Sequence, residues 1–474
     1  MTAFRQPSAL LAFILALLPF PALAAGEAAH LDGAALELFW GIPFAGLLLS
    51  IAIFPLVAEH FWHKHFGKIS AFWALAFLVP ATVTFGPAVM TTEVLHALLL
   101  EYVPFILLLL ALFTVAGGVR LRGSLRGTPA VNTLILLVGT AIASWMGTTG
   151  AAMLLIRPLL RANEWRTHRV HTVVFFIFLV ANIGGSLTPL GDPPLFLGFL
   201  QGVPFFWPTR MLLVPMLLLS AILLVVYFLL DSWYYRREGA EPAPAQTGAD
   251  SKLGLEGLVN IPLLAAIIAA VLMSGVWKPG GGITISGVMV TWQALARDGL
   301  LLAIAILSWL LTDHRSRTAN GFSWFPIQEV AKLFAGIFIT IIPVLTILKA
   351  GADGALSGAI DLVSRDGQPV DMMYFWITGL LSAFLDNAPT YLVFYNTAGG
   401  DAALLTGQLA GTLLAISCGA VFMGAYSYIG NAPNFMVRSI ASERGVPMPS
   451  FFGYMVWSGI FLTPCFVLVS WLFF

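Results

Sequence analysis

Long apolar runs are the feature that most restricts the fold of this chain. They recur along almost its whole length, and polar loops separate them. A helix that crosses the hydrocarbon layer needs roughly 20 apolar residues, and only helices and closed barrels satisfy their backbone hydrogen bonds there. Charged residues make up only 10% of the chain. We therefore predict an all-α polytopic membrane protein with about ten spans. The predicted spans are residues 38–57, 69–86, 102–118, 170–200, 209–230, 258–275, 298–312, 333–350, 404–437 and 450–473.

The first residues have the pattern of a secretory signal. Arg5 precedes a short apolar run that ends at Leu18, and Ala22-Leu23-Ala24 has the small residues of a cleavage site. We expect residues 1–24 to be a signal peptide. An uncleaved first helix is the alternative, because the two patterns overlap.

Two further apolar stretches, 130–162 and 371–400, are interrupted by polar, Gly and Pro residues, and we predict that each forms a re-entrant hairpin. With this assignment, 17 of the 23 Lys and Arg residues fall on one side of the membrane and five on the other, with Arg5 in the leader. Basic loops stay in the cytoplasm. We therefore expect a bacterial inner membrane protein with periplasmic mature N- and C-termini.

The polar segment 231–257 is predicted to be a cytoplasmic linker between two halves, 25–230 and 258–474. A twelve-residue pattern of the first half recurs 239 residues later in the second. Its first copy is Gly185, Thr188, Gly191, Asp192, Pro194 and Phe196, and its second copy is Gly424, Ser427, Gly430, Asn431, Pro433 and Phe435. At the same offset, Gly147-Thr148-Thr149-Gly150 aligns with Asp386-Asn387-Ala388-Pro389.

The two hairpins are predicted to enter from opposite sides, so the halves form an inverted repeat. Many secondary transporters have this architecture, with a substrate site at the midplane between the repeats. Glycine and proline weaken or break a helix within each repeat, which frees carbonyl oxygens for a cation and helix N-termini for an anion. The predicted helix breaks are Gly191, Pro193, Pro194, Pro389, Gly430 and Pro433.

Two acidic residues, Asp192 and Asp386, are predicted to be the only ones of 23 at membrane depth within the broken elements. A charge there costs roughly 2.5–3.5 kcal/mol on insertion scales and usually marks an ion path. We predict that both bind Na⁺. The alternative for Asp192 is a helix cap, because Pro193 and Pro194 begin a helix behind it. The other predicted ligands carry hydroxyl or amide groups: Thr148, Thr149, Asn182, Ser186, Thr188, Asn387, Thr390, Ser427, Asn431 and Asn434.

Other kinds of site are disfavoured by the residues near the two tips. Neither tip has a thiolate or paired imidazoles for a transition metal, or a Lys or Arg to hold an anion. We expect no cofactor, and the zero net charge argues against nucleic acid as a partner. His60, His63 and His65 form a small cluster that is read as interface residues, with metal binding or pH sensing as the alternative.

The segments Asn182–Asp192 and Asp386–Thr390 resemble those of the ion transporter superfamily, which includes NhaD-type sodium:proton antiporters, citrate transporters and divalent-anion:sodium symporters. The first segment is most similar to the NhaD-type motif. The resemblance implies a homodimer with a scaffold domain and a moving transport domain, and ion-path roles for Asp192 and Asn182. One departure is that NhaD-type antiporters carry an Asp-Asn pair in the first hairpin, whereas here it stands in the second, at Asp386-Asn387.

We therefore predict a secondary transporter that exchanges Na⁺ or Li⁺ for H⁺ by alternating access. Burial disfavours the charged form of a carboxylate, so cation and proton can compete for the two aspartates. Asn182, Thr188, Asn387, Ser427 and Asn431 are expected to supply neutral oxygens. The alternative is a sodium-coupled symporter of a small di- or tricarboxylate, with its anion on the half-helices behind Pro193 and Pro433. An intramembrane enzyme is disfavoured, because no histidine lies near either tip.

Overall fold

A computed structural model describes residues 30–123, 125–238 and 253–474. The predicted signal peptide and most of the predicted linker lie outside these described residues. Within them, the predicted all-α class is confirmed, since helices dominate and the strands form only three short pairs. Large apolar side chains are exposed along the helices, for example Val83 with 84% and Val276 with 83% of its surface accessible. Such surfaces suit contact with lipid.

The described part of the first half contains nine α-helices. Helices α3 and α4 are joined by the π-helical turn Ala97–Tyr102, and α7 is followed by the 3₁₀ turn Ile183–Leu187. The helices are α1 (Ile42–Val57), α2 (Glu59–Phe85), α3 (Pro87–His96), α4 (Val103–Ala116), α5 (Pro129–Met146), α6 (Thr148–Ala162), α7 (Val170–Leu179), α8 (Pro193–Leu200) and α9 (Trp207–Tyr235).

The second half has the corresponding broken elements, with the 3₁₀ turn Gly424–Tyr426 in the position of the first-half turn. Its helices are α10 (Asn260–Val276), α11 (Trp292–Leu311), α12 (His314–Ala319), α13 (Phe325–Thr340), α14 (Ile342–Lys349), α15 (Ser357–Asp361), α16 (Asp371–Phe384), α17 (Asn387–Thr397), α18 (Ala402–Thr406), α19 (Ala410–Met423), α20 (Ala432–Glu443) and α21 (Phe451–Phe473).

The strands form antiparallel pairs between or beside the helices. Strand β1 (Arg120–Arg122) pairs with β2 (Gly254–Glu256) and so joins the two halves outside the helical bundle. The other pairs are local hairpins: β3 (Gly282–Ile285) with β4 (Val288–Thr291), and β5 (Ser364–Arg365) with β6 (Gln368–Pro369).

Eight helices of the described chain are long and apolar enough to cross a membrane, or nine if the bent pair α13 and α14 is one span. The helices at the predicted spans 258–275 and 404–437 are shorter, because α10 ends at Val276 and α19 gives way to a 3₁₀ turn. Helix α5 is one of the eight, although the sequence placed it in a hairpin.

Both predicted hairpins are helical hairpins. Gly147, with φ of +81°, reverses the chain between α5 and α6. At the open end of this hairpin, the side-chain amides of Asn132 and Asn163 donate hydrogen bonds to each other, each 2.9 Å long. In the second hairpin, Tyr374 of α16 lies with its ring 6.2 Å from that of Phe394 of α17.

The described helices pack into two large hydrophobic cores and two smaller clusters. One large core contains the two hairpins, the broken elements, α9 and α21, and the other contains α1, α4, α10, α11, α13 and α14. Helix α8 packs along α17, whereas its repeat counterpart α20 packs along α6 of the first hairpin. The half-helix of each repeat therefore lies beside the hairpin of the other repeat.

The breaks are built in the same way in both repeats. The hydroxyl of Thr188 donates to the carbonyl of Ser144, and that of Ser427 donates to the carbonyl of Ala383 at the same 239-residue offset. A Cβ atom at Gly191 would overlap the backbone of Gly185, so only glycine permits this approach.

Gly191→Ala is therefore expected to lower the stability of the protein in detergent by about 1–3 kcal/mol, the typical cost of overpacking. Gly299→Ala is the matched control, because a Cβ there meets no atom within 4 Å. Thermal unfolding of the two purified variants measures the difference. Equal midpoints would show that the backbone at Gly191 can move apart without cost.

A buried polar cluster ties the base of the first hairpin to α7 and α9. The guanidinium of Arg166 lies 2.6 Å from the carboxylate of Asp231, and both side chains are fully buried. His171 Nε2 and Asn132 Nδ2 lie 2.7 and 3.0 Å from the same carboxylate. Arg166 lies in the loop between α6 and α7, and protein side chains surround it there.

The expectation that other acidic residues lie in loops or at span ends is wrong for Glu101. This residue lies in the middle of the 30-residue apolar helix Pro87–Ala116, within its π-helical turn. The predicted span 102–118 begins one residue after Glu101, which placed this residue at a span end.

Candidate functional site

The carboxylate of Asp192 is the meeting point of the two repeats. It lies just before α8, and its Oδ1 accepts hydrogen bonds from Thr148 Oγ1 at 3.2 Å and Asn431 Nδ2 at 2.9 Å. Its Oδ2 accepts from Asn387 Nδ2 at 2.7 Å. These three donors come from the first hairpin tip, the second broken element and the second hairpin tip.

The contacts of Asp192 follow the internal repeat. Asp192 and Asn431 are equivalent positions, 239 residues apart, and they bond directly to each other. Thr148 and Asn387 are also equivalent, and both donate to Asp192. The carboxylate thus lies close to the pseudo-twofold axis that relates the repeats.

Asp386, and not Asp192, caps a helix with its side chain. Asp192 occupies the N-cap position of α8, but its side chain makes no capping hydrogen bond there. Asp386 caps α17, with Oδ1 accepting from the backbone N–H of Ala388 at 3.0 Å. The capping alternative considered for Asp192 therefore describes Asp386 instead, whose second oxygen stays available.

Both aspartates line one cavity of about 90 Å³ between the two cores. Polar groups cover one side of it and apolar side chains, including Phe105 and Phe334, cover the other. Among the described residues that line it, none is Lys, Arg or His. The polar side chains are Thr148, Thr149, Asp192, Asp386, Asn387 and Asn431.

Asn182 and Asn434 form a second polar layer behind this cavity. Asn182 Nδ2 donates to Asn434 Oδ1 at 2.7 Å, and Asn182 Oδ1 accepts from Asn431 at 3.2 Å. Asn434 Nδ2 donates to the carbonyls of Gly424 and Ser427 at 2.8 Å. This layer fixes Asn431 and so positions the side chain that bonds to Asp192.

The hydroxyl groups of four other predicted ligands donate hydrogen bonds to backbone carbonyls in this structure. Ser186 donates to the carbonyl of Ile183, and Thr390 donates to the carbonyl of Asp386, each at 2.9 Å. Thr188 and Ser427 hold the broken turns, as described above. Their hydroxyls lie outside the described lining of the cavity, and their role as oxygen ligands of the ion stays a prediction.

A wider vestibule of about 460 Å³ leads to the site. It shares Asp386, Asn431 and Phe334 with the smaller cavity, and Arg157 lines it. Of the histidine cluster, His63 lines the vestibule. No group of three His, Cys, Asp or Glu residues in the described part of the chain is placed to hold a metal.

Three phenylalanines, here called the aromatic barrier, pack together beside the site, and one of them, Phe334, also lines the vestibule. Phe105 and Phe334 line the cavity, with ring centroids 4.7 Å apart. Phe338 packs behind them, 5.9 Å from Phe105 and 6.2 Å from Phe334. The arrangement can hold a small ion or proton at Asp192 with access from one side.

Comparison with known proteins gives two findings. The chain is 24% identical over 333 residues to an uncharacterized transporter of Mycobacterium bovis and, to the same extent, to one of Mycobacterium tuberculosis. Each alignment covers 68% of this chain and 72% of the relative. The family described as "Putative citrate transport" matches residues 33–474. The chain therefore belongs to this transporter family, within the ion transporter superfamily that the sequence resembles.

Proposed function

We propose that this membrane transporter exchanges Na⁺ or Li⁺ for H⁺ by alternating access. The observation that carries the proposal is the Asp192 carboxylate, which is buried and accepts three hydrogen bonds from side chains of both repeats. Buried charges in membrane proteins usually mark ion paths. The absence of basic side chains from the described lining leaves this negative charge without a protein counter-ion.

Competition at one carboxylate couples the two ions. A bound cation and a bound proton each neutralise Asp192, so either allows the site to move through the membrane. Thr148, Asn387 and Asn431 carry oxygens as well as hydrogen-bond donors, and rotation of these groups would present oxygen ligands to Na⁺. Asp386 lies between this site and the vestibule and would supply a second negative charge.

Alternating access would use the two cores as the moving parts. The vestibule gives one route to the site, and the three phenylalanines block the opposite route. By the distribution of Lys and Arg, we propose that the vestibule faces the cytoplasm. We also propose a homodimer in which the core of α1, α4, α10, α11, α13 and α14 is the fixed scaffold.

Sodium-coupled uptake of a small carboxylate is the second candidate, and the description of the family favours it. Two aspartates and no basic side chain line the described site. An anion could therefore bind there only after cations had neutralised these charges. This requirement makes cation exchange the better proposal for the geometry.

Purified protein in proteoliposomes with a pH-sensitive dye tests the proposal. Inward Na⁺ and Li⁺ gradients are expected to drive proton efflux, whereas K⁺ does not. Labelled citrate and succinate are tested in the same vesicles. Sodium-dependent citrate uptake without proton exchange would replace the proposal with the second candidate.

A further inference from the structure

Glu101 is a carboxylate at membrane depth that the site described above does not use. It lies midway along the apolar helix Pro87–Ala116. Its Oε1 accepts a hydrogen bond from Gln201 Nε2 at 3.1 Å, just past the end of α8. Ionisable groups at this depth are costly and are usually functional.

This carboxylate lines its own cavity of about 330 Å³, separate from the vestibule. The other polar and ionisable residues around the cavity are His30, Glu93, His96, Thr346 and Lys349. His30 Nδ1 lies 2.9 Å from the Glu93 carboxylate. Of the acidic and basic side chains that line this cavity, Glu101 and Lys349 form no ion pair within the described chain.

The outer cavity and the vestibule lie at opposite ends of α2. Ala97 lines the outer cavity and belongs to the same hydrophobic cluster as Ala81, near the end of this helix. His63, near the start of the same helix, lines the vestibule. Eighteen residues separate Ala81 from His63, which corresponds to about 27 Å along a helix. The two cavities therefore open towards opposite faces of the protein.

The aromatic barrier connects the lining of the outer cavity to that of the site. Phe338 lines the outer cavity, and it packs on Phe105 and Phe334, which line the site. Phe105 follows Glu101 by one helical turn. Movement of the site relative to these rings would join the outer cavity to the cavity of Asp192.

We infer that the outer cavity is the second access route and that Glu101 binds the transported cation there before it reaches Asp192. The inference rests on the proposed cation exchange. Both acidic and basic side chains line the cavity of Glu101. Its carboxylate therefore attracts a monovalent cation but binds it weakly enough to release it. Glu101 lines a different cavity from Asp192, so it is a binding residue of the route and not of the central site.

Glu101→Gln tests this role, because it removes the charge and keeps an oxygen to accept the hydrogen bond from Gln201. In oriented vesicles, we expect the apparent KM for Na⁺ to rise by about tenfold when Na⁺ is added on the Glu101 face. The KM measured from the vestibule face should stay unchanged. Glu37→Gln is the matched control, since Glu37 is exposed. Equal values from both faces, or no change, would overturn the inference.

Thiol labelling tests the route without relying on transport. Cys418 and Cys465 are buried and are replaced by alanine. A membrane-impermeant maleimide added to the Glu101 face should label Thr346→Cys, and added to the opposite face it should label Ser439→Cys of the vestibule. Labelling of both from one face would reject the route. If the labelling holds while wild-type protein exchanges no Na⁺ for H⁺, the proposed function fails and the role of Glu101 in cation binding fails with it.

Discussion

Asp192→Asn is expected to abolish Na⁺-driven proton movement while leaving the fold intact. The substitution preserves the shape of the side chain but removes the charge that a cation requires and the group that a proton titrates. Loss of a group that only supports a cation ligand typically costs about 10–100-fold in affinity or activity, so loss of the ligand itself should cost at least about 100-fold. Dye-monitored exchange in proteoliposomes measures the effect.

Two controls make this expectation decisive. Asp361→Asn removes an exposed carboxylate and should exchange ions at the wild-type rate. Thermal unfolding of Asp192→Asn should remain near wild type, because the new amide oxygen can still accept from Thr148 and Asn431, while Asn387 turns its oxygen towards the new NH₂ group. A folded Asp192→Asn variant with undiminished exchange would remove the site from the transport mechanism.

The internal repeat made the architecture around the site predictable from the sequence. Equivalent residues of an inverted repeat meet near its pseudo-twofold axis, and this is where Asp192 and Asn431 bond to each other. The two hairpin tips also meet there, through Thr148 and Asn387. A repeat therefore carries three-dimensional information that a single apolar window does not.

The sequence could not predict which polar side chains face the ion site and which bond to the backbone. Thr188 and Ser427 have the composition of cation ligands, but each broken turn leaves backbone groups that need partners at membrane depth. The nearest hydroxyl supplies them, and the choice depends on backbone geometry. For the same reason the sequence could not tell which aspartate caps a helix.

The sequence could not predict which charged residues outside the repeat are buried. A charged residue beside an apolar run indicates the end of a span, whether or not a partner buries it. Glu101 accepts a hydrogen bond from Gln201, 100 residues away, and Arg166 meets Asp231, 65 residues away. Such long-range partners compensate a buried charge without leaving a local pattern. Only the packed structure identifies them.

The cluster at Asp231 is expected to dominate the stability of the first hairpin. Asp231→Ala leaves the buried guanidinium of Arg166 without its 2.6 Å partner, and also removes the contact to His171. Breaking a buried ion pair from one side typically costs about 3–5 kcal/mol, because the remaining charge stays buried. We expect a large fall in the thermal unfolding midpoint in detergent, or failure to fold.

The comparison that isolates the buried charge is Glu164→Ala. Glu164 pairs with Arg444 at 3.2 Å, but both side chains are partly exposed, and such pairs contribute only about 0–1 kcal/mol. If Asp231→Ala does not fold, the double variant Asp231→Leu with Arg166→Met removes both charges, and it should recover much of the lost stability. A double variant as unstable as Asp231→Ala would mean that the hydrogen bonds of Asn132 and His171 to Asp231, and not the ion pair with Arg166, hold the base of the hairpin.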